Sequence, residues 1–179
     1  IVFDGLPDEK AWEQLEPFPM ITHAPVFGYK PPEKSVIRMG YNDQFVYVSG
    51  LLYVSDPSYI QAIGKKRDTE TMSSDFFMIS FDSYNDKENS LVFGTNPLGL
   101  RLDAAISNDG TIVMREMPVN MDWNTFWEVK AGYDEEHWYF EMLIPISSLR
   151  FQDMNGLTIM GLSVLRWIPV KDELYTFPA

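Results

Sequence analysis

Short runs of alternating or wholly apolar residues, cut apart at close intervals by turn-forming residues, restrict this chain to sheet architectures. Ser35 to Tyr41 places Ile37, Met39 and Tyr41 on one face. After Asn42-Asp43-Gln44, the run Phe45 to Val54 is apolar on both faces, the pattern of a central strand in a covered sheet. Asp75 to Asp82, reading Asp-Phe-Phe-Met-Ile-Ser-Phe-Asp, predicts another buried strand that ends in a carboxylate. Leu91 to Thr95 and Arg101 to Ile106 predict two more, with Asn96-Pro97-Leu98-Gly99 as the turn between them. Ile106 to Ile112 encloses Asn108-Asp109-Gly110, residues that tolerate the positive φ of a tight hairpin. Phe126 to Tyr133 and Trp138 to Ile144 predict a second hairpin about Asp134-Glu135-Glu136, and Leu157 to Ile168 a long late strand.

Helix has little room in this pattern. Pro7 to Gln14 carries acidic residues in a first turn and predicts about two turns; Asp56 to Ala62 and Ile146 to Phe151 predict shorter ones. About nine strands with two or three short helices predict an all-β fold, an antiparallel β-sandwich of immunoglobulin or jelly-roll type. With 179 residues, no internal repeat and no low-complexity linker, residues 1–179 are expected to form one domain. A chain that opens at Ile1, without an initiating Met or a signal peptide, is expected to be a piece of a longer precursor.

Charge then narrows the partners. Fourteen Lys and Arg against 26 Asp and Glu leave a formal net charge of −12. Nucleic-acid binding depends on cations meeting phosphates, so a polyanion is repelled, and anionic lipid headgroups are disfavoured for the same reason. Neutral sugars, cations such as calcium and basic proteins remain. No stretch approaches the roughly 20 apolar residues of a membrane-spanning helix, so direct membrane insertion is not expected. The chain has no cysteine, which removes disulfides, thiol catalysis and thiolate metal sites.

Several blocks together resemble a known family. Ile1-Val2-Phe3-Asp4-Gly5, then Asp8-Glu9 and Ala11-Trp12, is similar to the opening of the family 9 carbohydrate-binding modules. Tyr41 to Val48 followed by Asp56-Pro57, Asp75 to Asp82, and Glu141 to Pro145 resemble its later blocks. Arg67-Asp68, Asn85-Asp86, Asn96 to Gly99, Trp123 with Trp127-Glu128, Ser148 to Phe151 and Leu165 to Pro169 recur together in a subgroup. That subgroup resembles the N-terminal domain of bacterial proteins that continue into an outer-membrane β-barrel. The resemblance implies a non-catalytic β-sandwich exported to the periplasm, the outer membrane or the medium, with a carbohydrate or its own C-terminal barrel as partner. Members usually carry another strand after the Arg166-Trp167-Ile168-Pro169 segment, and the chain is expected to stop short of it.

The resemblance also implies a departure. Sugar-binding members hold a terminal sugar between two tryptophans, with polar side chains bonding its hydroxyls. Here Met72 stands at one aromatic position, and Met78 and Gly94 stand at polar positions. Methionine offers neither a ring face nor two-point hydrogen bonding, so sugar binding is expected to be weak or relocated.

Trp12, Trp138 and Trp167 fall in patterns that turn large rings inward. Trp123 and Trp127 adjoin a polar loop, Met121 to Thr125, and are the candidate stacking platforms; Met72, Asn96 and Arg166 complete the candidate ligand set. Asp56, Asp75 and Asp82 stand at strand ends and are candidate ligands for a structural calcium ion; turn capping is the alternative use of such residues. His23 and His137 lack a spaced partner, and no carboxylate pair stands out, so no catalytic residue is assigned. A structural or protein-interaction module is the second reading and a glycoside hydrolase the third. An exposed apolar face at Met72, Phe76 and Met78 would favour the second.

Overall fold

The computed structural model describes residues 1–68, 72–110, 118–151, 155 and 157–178. The chain forms β1 (Ile21–Ala24), β2 (Ser35–Tyr41), β3 (Phe45–Tyr53), β4 (Phe76–Asp82), β5 (Ser90–Thr95), β6 (Leu102–Ile106), β7 (Val119–Asn120), β8 (Glu128–Tyr133), β9 (His137–Pro145), β10 (Gly161–Ile168) and β11 (Glu173–Phe177). One short helix, α1 (Lys10–Glu13), and single 3₁₀ turns such as Pro57–Tyr59 and Ile146–Ser148 complete the described elements. All strand pairs are antiparallel. They make a seven-stranded sheet in the order β1-β11-β10-β4-β5-β6-β7 and a four-stranded sheet in the order β2-β3-β9-β8.

The two sheets face each other across an aromatic core, as the alternation in the strands requires. Phe77 and Phe81 of β4 turn inward, Phe77 packing on Phe140 of β9 at 4.3 Å and Phe81 on Phe93 of β5 at 6.1 Å between ring centroids. Ile37, Val48, Leu52, Trp138, Met142 and Val164 fill the remaining space. Burying such side chains stabilises by about 1.5–3 kcal/mol each, which makes this layer the main source of stability.

β3 is buried on both faces, as its composition predicts, but for two reasons. Val46, Val48 and Leu52 meet the large sheet, whereas Ser49 is covered together with its ladder partner Glu141. Trp12 and the Asp4-Gly5 segment account for that cover. The Glu141 carboxylate accepts the Asp4 and Gly5 backbone N–H groups (3.0 and 2.9 Å) and the Trp12 Nε1–H (3.0 Å). The opening block of the sequence is thus an anchor for the N-terminal segment.

Four expectations need correction or limits. Trp167 faces outward, because β10 alternates and its neighbours Arg166 and Ile168 take the inward positions. Tyr41 keeps its place in the Ile37–Met39 alternation, opposite Val46, but at the end of β2 it is 81% exposed rather than packed in the core. A strand does follow Pro169: β11 pairs with β10 and β1, after a turn at Asp172 with φ of 51°. In the Ile106–Ile112 hairpin, Asn108 and Asp109 take the positive φ (54° and 50°) that their residue types allow, while Thr111 and Ile112 lie outside the described residues. Among the described residues β6 pairs with β7 through Ile106 and Val119.

Candidate functional site

The outer face of the seven-stranded sheet is graded along its strands. β4 turns Phe76, Met78, Ser80 and Asp82 outward, and β10 turns Gly161, Ser163, Leu165 and Trp167 outward. The register pairs Phe76 with Trp167, Met78 with Leu165, Ser80 with Ser163, and Asp82 with Gly161. One end is therefore aromatic, the middle apolar, and the other end carries hydroxyls and a carboxylate. Phe76 is buried although it faces outward, because its ring lies across Gly94 of β5. A Cβ at Gly94 would sit 2.3 Å from that ring, so only glycine fits beneath it.

An open groove of about 460 Å³ crosses β11, β10 and β4, floored by Met78, Leu165, Ser80 and Ser163. Its wall is Phe27, from the β1–β2 connection, whose ring is 58% exposed and meets His23 edge-on at 5.8 Å. A second open groove of about 410 Å³ shares Ser80 and Ser163 and continues to Asp82, Ser90, Asn89 and Lys87. An exposed ring beside hydroxyls can stack on the C–H face of a sugar while bonding its hydroxyls.

The candidate ligand residues are scattered. Trp127 is buried against Phe93, ring centroids 5.4 Å apart, and offers no face to a ligand. Its neighbour Phe126 is the ring that points out, at 89% exposure. Trp123 is half-buried and packs edge-on to the same Phe93 at 6.0 Å. Met72 is 60% exposed, and its carbonyl accepts the Trp167 Nε1–H at 2.8 Å, so these two do adjoin at the aromatic end.

Asn96 and Arg166 are fully buried and serve the fold. Asn96 donates to the carbonyls of Ile63 and Gly64 (3.0 and 2.8 Å) and accepts from the Leu98 and Leu100 N–H groups. Arg166 reaches from β10 to the small sheet, donating to the carbonyls of Lys34 (3.0 Å) and Tyr53 (2.6 Å) and to the Ser35 hydroxyl. Burial pushes the Arg166 guanidinium down to about 10, with the Asp75 charge acting against it, and it remains a cation at neutral pH. Arg67 likewise ties loops together, pairing with Asp103 (Nε to Oδ1, 3.1 Å) and Asp68 (3.5 Å).

The three candidate metal ligands each hold their own loop. Asp56 accepts the Ser58 N–H at 2.9 Å, and Asp82 accepts those of Asp86 (3.1 Å) and Lys87 (2.7 Å). Asp75 is buried and accepts the Gln61 N–H at 2.7 Å. Burial raises its carboxyl to about 6, against the pull of that N–H and of the Arg166 charge. Among the described residues no three acidic or histidine side chains converge as a metal site would require.

Sequence reasoning missed Phe27, Phe126 and the Ser80–Ser163 pair. Pro25-Val26-Phe27-Gly28 sets a ring in a turn-rich loop just as Met121 to Thr125 sets Trp123, a signal that a search for tryptophan passes over. Period-two alternation separates Phe126 from Trp127 once the strand's inward residue is known, which local sequence does not supply.

The two antiparallel sheets make a β-sandwich with open grooves on the outer face of the larger one. The chain is similar to a candidate carbohydrate-binding protein from Bacteroides uniformis, with a TM-score of 0.66 at 10% identity over 92% of this chain and 78% of that one. It is also similar to a family 9 carbohydrate-binding module from Caldicellulosiruptor kristjanssonii at 17% identity over 98% of this chain. The TM-score is 0.59 for that module with cellotriose, of which 77% is covered, and 0.60 with glucose, of which 79% is covered. At these identities the likeness establishes the fold. Neither a protein-family model nor a curated protein sequence matches the chain.

Proposed function

We propose that this chain is a non-catalytic glycan-binding module of an exported bacterial protein, with the glycan seated in the outer-face groove beside Phe27. The observation that carries the reading is the exposed Phe27 ring flanking a groove floored by paired Ser80 and Ser163. Support comes from the similar folds, two of which were solved with cellotriose and glucose. Met72, Met78 and Gly94, at the positions that the family resemblance gives to a ring and to polar groups, argue for affinity below the family's usual level. Three lost contacts at about 1 kcal/mol each amount to roughly a hundredfold.

Calorimetric titration of wild type, Phe27→Ala and Trp123→Ala with a panel of neutral oligosaccharides tests this. Binding should weaken about tenfold in Phe27→Ala, the loss of one stacking contact. Binding lost in Trp123→Ala but kept in Phe27→Ala would move the site to the loop before β8.

A second reading has one observation in its favour. Phe27 is an exposed apolar side chain beside a groove floored partly by Met78 and Leu165, a surface suited to packing on a barrel or another domain. Binding to no sugar in the panel would favour it. The proposal extends to a periplasmic or outer-membrane-associated setting and to calcium as a stabilising cation for a surface of charge −12. Calcium titrated against chelator should raise the melting temperature; an unchanged value removes the ion from the reading.

A further inference from the structure

We infer that the groove takes the interior of a neutral glycan chain, laid obliquely across the strands from β11 to β6, with a polar second subsite beyond the Phe27 region. This rests on the glycan-binding reading above and says what kind of glycan the same face accepts. Ser80 and Ser163, opposite each other in the β4–β10 ladder, line both grooves, so the two are one trench with a shared centre. From β11 to β6 the trench crosses four strand spacings, about 19 Å at roughly 4.8 Å each. A terminal sugar fills only part of such a length.

Both grooves are open to solvent, which suits a chain that enters and leaves. At the polar end Gly161 faces Asp82 across the ladder, and a Cβ there would stand 3.0 Å from the Asp82 Cβ. The missing side chain leaves the Asp82 carboxylate along the floor. The rim above it is already set before any ligand arrives. Asp82 accepts two backbone N–H groups of the β4–β5 loop. Asp86 accepts those of Glu88 and Asn89 and the Asn89 side-chain amide, these three at 2.8 Å. The Asp109 N–H donates to the Glu88 carbonyl at 2.8 Å, tying this loop to the one after β6. A rim held in this way loses little freedom on binding, which favours shallow polar contacts that are otherwise too weak to hold a sugar.

The charges select the class of chain. Among the described lining residues Asp82, Glu88 and Asp109 stand against Lys87 at this end, on a molecule of net charge −12. Uronic-acid and sulfated glycans are repelled, while neutral chains present hydroxyls that serine, amide and carboxylate oxygens can accept or meet.

The test is a calorimetric titration with the disaccharide and hexasaccharide of β-glucan, xylan, mannan and α-glucan, and with a polyuronate hexamer. At least one neutral hexamer should bind tenfold or more tightly than its dimer, and the polyuronate should bind none. The Lys87→Ala/Ser90→Ala variant, altered only in the second groove, should lose that tenfold advantage and keep the dimer's affinity. Dimer and hexamer binding equally, or a length advantage untouched in that variant, overturns the second subsite while leaving glycan binding in place. Binding of no neutral glycan of either length overturns the glycan reading itself, and this inference with it.

Discussion

Asp75 and Trp127 show what one position decides. Asp75 is buried between the sheets with the Gln61 N–H, the Arg166 guanidinium and the Trp138 indole acting on it, and burial outweighs all three to lift it from 3.8 to about 6. A folded state that binds this proton more tightly than the unfolded chain is favoured below the unfolded value. That advantage is lost as pH rises from about 4 to about 6. Two units correspond to roughly 3 kcal/mol. Glu141 acts in the same direction, since burial raises it against the Gly5 and Trp12 donors. Urea denaturation at intervals from pH 4 to pH 7 should therefore show falling stability, with a shallower fall in Asp75→Asn. Equal slopes in the two proteins would mean that Asp75 titrates normally. Trp127 teaches the opposite lesson: its residue type invited a surface role, and a one-residue alternation gave that place to Phe126.

Among the elements, the long alternating strands were legible and the short ones were not. β2 to β6 and β8 to β10 carry enough apolar residues for the period to stand out, and they lie within a few residues of where the pattern puts them. β1 and β11, of four and five residues, pair with each other through Ile21 and Thr176, so they exist by contacts that no local window contains. The groove was half legible for the same reason: Met78 and Gly94 were singled out, but their neighbours Leu165 and Ser163 come from a strand some eighty residues on. The N-terminal segment was legible as a motif and not as a mechanism. Its mechanism is Glu141, whose two oxygens accept three donors from Asp4, Gly5 and Trp12. Glu141→Gln keeps the shape, turns one acceptor into a donor facing N–H groups, and should cost about 2–4 kcal/mol. Hydrogen exchange should quicken at Asp4 to Trp12 well before the core strands; unchanged protection there would show that packing alone holds the segment.

At the scale of the whole molecule, each sheet is closed by strands from opposite halves of the chain. Phe45 pairs with Pro145, Phe76 with Trp167, and Ile21 with Thr176. No half carries a complete sheet, so unfolding should be a single transition, coincident by tryptophan fluorescence and far-ultraviolet circular dichroism. Folding should be slow, milliseconds to seconds, because the pairs are distant in sequence. Two separated transitions would mean that the sheets fold independently. The large sheet also ends in a small piece at one flank: β1 has four residues with its register shifted between Thr22 and Ala24. A straight, unpaired flank is what lets one protein recruit the next into a ribbon of continuous hydrogen bonding, and a broken one withholds it. Copies crowded side by side on one surface can therefore meet at the β1 flank without their large sheets fusing there.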